Sequence, residues 1–144
     1  MFSFATAFWI GIGLATLYIW SASKSAVVEK LLGAGLLMSI GLWYLGFGIF
    51  EGATLTALIP QVLGGLFFAV LGYLGFTRSL FFPGIGWMIH ATWDFASPHF
   101  SDVSYMPEWA APMCLGFDIL VGIYLLARSQ TLLHATHQGN VSSL

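Results

Sequence analysis

Apolar residues dominate this chain in five runs, 4–20, 31–50, 55–76, 80–97 and 109–127, separated by short polar breaks. A bilayer-spanning helix needs about 20 consecutive apolar residues, so the pattern predicts an all-α polytopic membrane protein with five transmembrane helices. The breaks are SASKSAVVEK, the turn after Glu51, the Thr77–Arg78–Ser79 stretch, the polar segment HFSDVSYMPE and a polar tail over 129–144. Small residues recur at helical spacing: Gly11 and Ala15 in the first run, Gly33, Gly41 and Gly48 in the second, Gly64, Gly65, Ala69 and Gly72 in the third. Such positions let helix backbones approach closely. They are expected to pack the bundle and offer glycine-rich faces for a homo-oligomer. Pro83 suits a helix start, and Pro98 ends the fourth run because it cannot continue the hydrogen-bond ladder.

Composition agrees with the pattern. Hydrophobic residues make up 58% and charged residues 7% of the chain, with a mean hydropathy of +0.88, whereas soluble domains carry about 25% charged residues. Residues 1–128 are expected to form one transmembrane bundle and 129–144 a cytoplasmic tail, leaving no room for a soluble domain. A net charge of −2 gives no reason to expect a nucleic-acid partner. The lone cysteine, Cys114, excludes an internal disulfide. The N-terminal run lacks the basic leading segment of a secretory signal and is expected to be a retained span. Lys24, Lys30, Arg78 and Arg128 are all of the lysines and arginines, and a five-span count places them on one side. Cytoplasmic loops carry the basic excess, so the N-terminus is expected outside and the C-terminus inside, in a bacterial cytoplasmic (inner) membrane.

The candidate chemistry lies in PGIGWMIHATWDFASPHFSD, residues 83–102. Ionisable groups at membrane depth are costly and normally face a bundle interior or a wet cavity. His90 and Asp94, one helical turn apart, share a face, and Asp118 in the fifth span is expected at a depth similar to that of His90. Glu51, His99, Asp102 and Glu108 fall near the outer rim, so the ionisable groups form a column from an outer mouth towards mid-membrane. Histidines and carboxylates together suit zinc, iron or manganese, and His90, Asp94, His99 and Asp118 are the expected metal ligands. His90, Asp94 and Glu51 are the expected acid/base groups. Cys114 shares a face with Asp118 but reads as packing, and Trp87, Trp93 and Trp109 read as interfacial anchors or packing.

From His90 onward the chain resembles a group of small, functionally uncharacterised bacterial membrane proteins with a His-x-x-Trp-Asp motif. The matching residues are His90, Trp93, Asp94, His99, Pro107, Trp109, Cys114 and Asp118, and the resemblance implies a shared site without a named reaction. The segment HATWD also resembles the His-x-x-x-Asn/Asp motif of prenyl-protein and bacteriocin-immunity type intramembrane proteases, whose paired Glu-Glu is missing here.

Together these features suggest a metal-dependent membrane hydrolase or oxidoreductase acting on a small or lipidic substrate from the outer side. A proton, cation or small-solute transporter would use the same column, and an accessory subunit of a membrane complex would use the glycine-rich faces.

Overall fold

The computed structural model describes residues 3–99 and 106–141. Among them the chain forms five helices and no strand: α1 (Phe4–Ala22), α2 (Ala26–Phe50), α3 (Leu55–Thr77), α4 (Phe81–Ala96) and α5 (Ala110–Val141). α1, α2, α3 and the Ala110–Leu132 part of α5 are each long and apolar enough to cross a membrane. α4 has 16 residues, about 24 Å of helix at 1.5 Å per residue, and is the shortest of the five. The ends at the α2–α3 and α4–α5 connections are called outer below, following the basic-residue rule.

Local sequence explains most helix limits. Ser3, Ser25 and Thr54 cap α1, α2 and α3, each side chain accepting from a backbone N–H three residues on, as short polar side chains do at helix starts. α2 therefore begins five residues before the apolar run at Leu31. Its first turn, Ala26–Lys30, carries Glu29 buried at 2% exposure, and Leu31–Gly35 winds as a π-helical turn. α4 gives way at Pro98 to a 3-10 turn over Ser97–His99. α5 runs past Arg128 to Val141, because no proline or glycine interrupts the segment before Gly139. The stretch expected to be a polar tail is thus largely a helical extension.

α5 packs against both α1 and α4, and α3 packs against both α2 and α4. Two crossings are closed by glycine. A Cβ added at Gly11 of α1 would meet the Met113 carbonyl of α5, and one at Gly41 of α2 would meet the backbone of Gly65 in α3. The core formed between the helices includes Leu37, Phe68, Trp87, Val121 and Leu125. α1 packs against the Ala26–Lys30 turn of α2, but hardly against its Leu36–Phe50 part. The ring of helices is therefore closed at its inner end and parted between α1 and α2 towards the outer end. Exposed Trp9, Leu17, Trp43, Phe50 and Leu63 give the bundle the apolar exterior that lipid contact requires.

Candidate metal centre

Helix periodicity brings the site together. His90 and Asp94 stand one turn apart on α4, Cys114 and Asp118 one turn apart on α5, and Tyr44 faces them from α2. At 1.5 Å per residue, Asp94 lies about 3 Å and His90 about 9 Å below the outer end of α4, while Cys114 and Asp118 lie about 6 and 12 Å below that of α5. His90 is 4% exposed and Asp118 fully buried.

The two ring nitrogens of His90 have different surroundings. Nδ1 lies 2.7 Å from Asp118 Oδ2. With the carboxylate accepting from Nδ1–H, the neutral imidazole keeps its lone pair on Nε2. Nε2 is buried with no hydrogen-bond partner among the described residues, 3.7 Å from Asp94 Oδ1. The rings of Tyr44, Phe68 and Trp87 meet the imidazole edge-on, with the Phe68 centroid 5.1 Å away, and fix its plane. Tyr44 donates its hydroxyl to Asp94 Oδ1.

One ligand atom from each of His90, Asp94 and Cys114 lies within 4.8 Å of the other two. A tetrahedral zinc ion with bonds of about 2.0–2.3 Å holds its ligand atoms roughly 3.3–3.8 Å apart, so the His90–Asp94 separation already has the length of such an edge. The donor set has one imidazole, one carboxylate and one thiol, with a second carboxylate behind the imidazole. Metal-bound histidines commonly donate their other nitrogen to a carboxylate, which fixes the tautomer and orients the ring. Asp118 occupies that position. A cation would also offset the buried negative charge of two carboxylates, otherwise costly in a low-dielectric interior.

The remaining residues singled out in the sequence lie elsewhere. His99 is exposed in the 3-10 turn beyond α4, and Glu51 is exposed at the C-cap of α2; neither belongs to the group formed by His90, Asp94 and Cys114. Asp102 lies outside the described residues. Glu108 lines a cavity of about 150 Å³ at the outer end, together with Ser97, Pro98, Asp94 and Tyr44. A larger cavity of about 350 Å³ reaches the same cluster from the parting between α1 and α2. Trp93 donates its indole N–H to Gln61 Oε1 at 3.1 Å, and Trp87 donates to the Gly33 carbonyl in the π-turn of α2 at 2.7 Å. These two tryptophans tie α4 to α3 and α2 across the bundle.

The pattern 31–50 hides one further buried group. Glu29 accepts from Tyr124 Oη at 2.7 Å and from Arg128 Nε at 2.9 Å, and its own carbonyl accepts from Tyr18 Oη at 3.4 Å. This cluster joins α1, α2 and α5 at the inner end. The available signal is Ser25 followed by Ala-Val-Val, a cap before apolar residues, which moves Glu29 from the loop into the helix.

The chain matches, over residues 5–131, the family described as Family of unknown function (DUF6010). It belongs to that family. Neither a curated protein nor a solved structure matches it. An uncharacterised family is what the sequence resembles, and for this DUF6010 chain the chemistry therefore rests on the site.

Proposed function

We propose that this protein is a membrane-embedded, metal-dependent enzyme whose divalent transition-metal ion is held by His90 Nε2, Asp94 and Cys114 and which acts on a small or lipidic substrate from the outer side. The observation that carries this reading is the division of labour on His90: Nδ1 is engaged by Asp118, whereas Nε2 is buried, without a hydrogen-bond partner among the described residues and 3.7 Å from Asp94 Oδ1, in a residue grouped with Asp94 and Cys114. In this reading Cys114 stands with His90 and Asp94 as a ligand, and Asp118 orients the imidazole. Such an ion, bound by three protein groups, supplies a Lewis acid with an open position for water or a substrate carbonyl. Tyr44, through its bond to Asp94, positions that carboxylate and stands where the two cavities meet.

A relay through the bundle is less well supported. Val121 and Leu125, both fully buried, stand along α5 between Asp118 and the inner Glu29–Arg128 pair, so an apolar layer separates the two polar clusters.

The test is the metal content of protein purified without chelators. About one zinc, iron or manganese ion per chain is expected, with loss of the ion in His90→Ala and Cys114→Ala variants that retain the wild-type helical signal. Absence of stoichiometric metal in carefully handled wild type contradicts the reading. A second reading uses the same atoms without an ion, because Cys114, His90 and Asp118 also stand in the order of a thiol nucleophile, its base and the group orienting that base. It expects metal-free protein in which Cys114 reacts with acyl electrophiles, and in which His90→Ala abolishes that reaction.

A further inference from the structure

We infer that the larger cavity is the binding site of a single-chain amphiphile drawn from the outer leaflet, its chain lying between α1 and α2 and its polar head at His90, Asp94 and Cys114. The inference deepens the metal-centre reading and rests on it for the fate of the head group.

Three observations point to this occupant. First, the cavity measures about 350 Å³, within the roughly 300–1,000 Å³ usual for small-molecule sites, and apart from the polar cluster nearly all of its lining residues are apolar. Second, its rim is formed by side chains that face lipid. Leu14 of α1 is 44% exposed and Trp43 of α2 61% exposed, and the two helices hardly pack against one another there. A parting at membrane depth admits what the bilayer contains, so its occupant is a lipid chain rather than a water-soluble metabolite. Third, the polar cluster forms one wall of the cavity, to which His90, Asp94, Cys114 and Asp118 all contribute. His90 Nε2 and Asp118 Oδ1 are buried with no hydrogen-bond partner among the described residues, and both residues line the cavity. An apolar slot with a cluster of polar residues at one wall is complementary to a molecule with a long chain and a small polar head.

The outer cavity completes the arrangement. It meets the lipid-facing one at Tyr44 and Asp94 and carries Ser97 and Glu108, so the head group is approached from the outer end while the chain stays between the helices. A bulky two-chain lipid does not fit the volume, which selects a fatty acid, a single-chain ester or a comparable amphiphile.

The lone cysteine makes the pocket measurable, because Cys114 lines it and is the sole thiol of the chain. The experiment compares labelling of Cys114 by N-dodecylmaleimide and by N-methylmaleimide in chelator-treated full-length protein, reconstituted in phosphatidylcholine vesicles. Leu14→Trp and Leu36→Trp place bulk on opposite sides of the parting, and Leu17→Trp, exposed on α1 and outside the cavity lining, serves as the control. The expected result is a fall of about tenfold or more in the dodecyl-to-methyl rate ratio for either rim variant, since withdrawing even two methylenes from an apolar pocket is worth that much. The control is expected to keep the wild-type ratio. Partition of the reagent into the vesicle cancels between variants. An unchanged ratio in both rim variants, or an equal fall in Leu17→Trp, overturns the inference. The metal is absent from this assay, so failure of the pocket and failure of the metal centre are read separately: a protein that never binds metal can still show the selectivity, and one that binds metal can lack it.

Discussion

At the scale of single residues, the proposed chemistry depends on what each ring nitrogen of His90 faces. Asp118 holds Nδ1 at 2.7 Å, and outer partners of this kind change metal affinity by about 10–100-fold when replaced. Asp118→Asn is accordingly expected to weaken metal binding by that order while leaving the ion stoichiometry intact at high metal, whereas Cys114→Ala lowers the stoichiometry itself; a competition titration with a chromophoric chelator separates the two. Tyr44→Phe removes a hydroxyl bonded to Asp94 Oδ1 and is expected to alter affinity by less than either. His90, Asp94 and Asp118 were legible in the sequence because ionisable groups in apolar runs stand out by their cost. Cys114 stood out only through the family resemblance and Tyr44 did not stand out, since a thiol and a phenol in a transmembrane helix have the look of packing until a neighbouring helix supplies their partners. His99 and Glu51 have the right chemistry but stand exposed beyond the helix ends that carry them, where nothing in the local sequence marks their distance from the cluster.

At the scale of elements, two features set how the helices meet. The α1–α5 crossing leaves no room at Gly11, where a Cβ would fall on the Met113 carbonyl, yet one added at Gly13 meets nothing within 4 Å. Gly11→Val is expected to cost about 1–3 kcal/mol by overpacking, and Gly13→Val to be nearly neutral, as measured by unfolding in mixed micelles. Gly11 and Ala15 were visible as a small-residue face, and both are buried, so this contact was legible. The start of α2 was less so. Hydropathy alone puts Glu29 and Lys30 in a loop, but the Ser25 cap extends the helix and buries Glu29 against Arg128 and Tyr124. Removing one partner of a buried pair strands the other's charge. Among the described residues, Arg128→Gln leaves the buried Glu29 carboxylate with tyrosine as its side-chain donor and is expected to destabilise the protein by about 2–3 kcal/mol, discounted because Arg128 is itself part-exposed. Glu29→Gln strands no buried charge and is expected to cost less. The double variant is expected to be less destabilised than the sum of the two, which a double-mutant cycle reads directly.

At the scale of the whole molecule, the helices make a ring closed at the inner end by the Glu29 cluster and parted at the outer end between α1 and α2. The five-helix architecture followed from hydropathy, because each apolar run satisfies its backbone internally only as a helix; four of the five are long and apolar enough to cross a membrane, and α4 is shorter. The parting could not be read from the runs, since it depends on which helices are neighbours, and periodicity within one helix does not state that. With the parting present, the His90–Asp94–Cys114 cluster lies between the larger cavity and the smaller outer one, and the proposed metal centre would be reached by water-borne molecules from one and bilayer-borne molecules from the other. The most direct measurement of that central claim is the X-ray absorption spectrum of the bound metal in wild type and in Cys114→Ser. One sulfur at about 2.3 Å with nitrogen or oxygen donors at about 2.0–2.2 Å is expected in wild type, and the sulfur contribution is expected to vanish in the variant. A spectrum without sulfur in wild type, or purified protein with no metal to examine, contradicts a centre built from His90, Asp94 and Cys114.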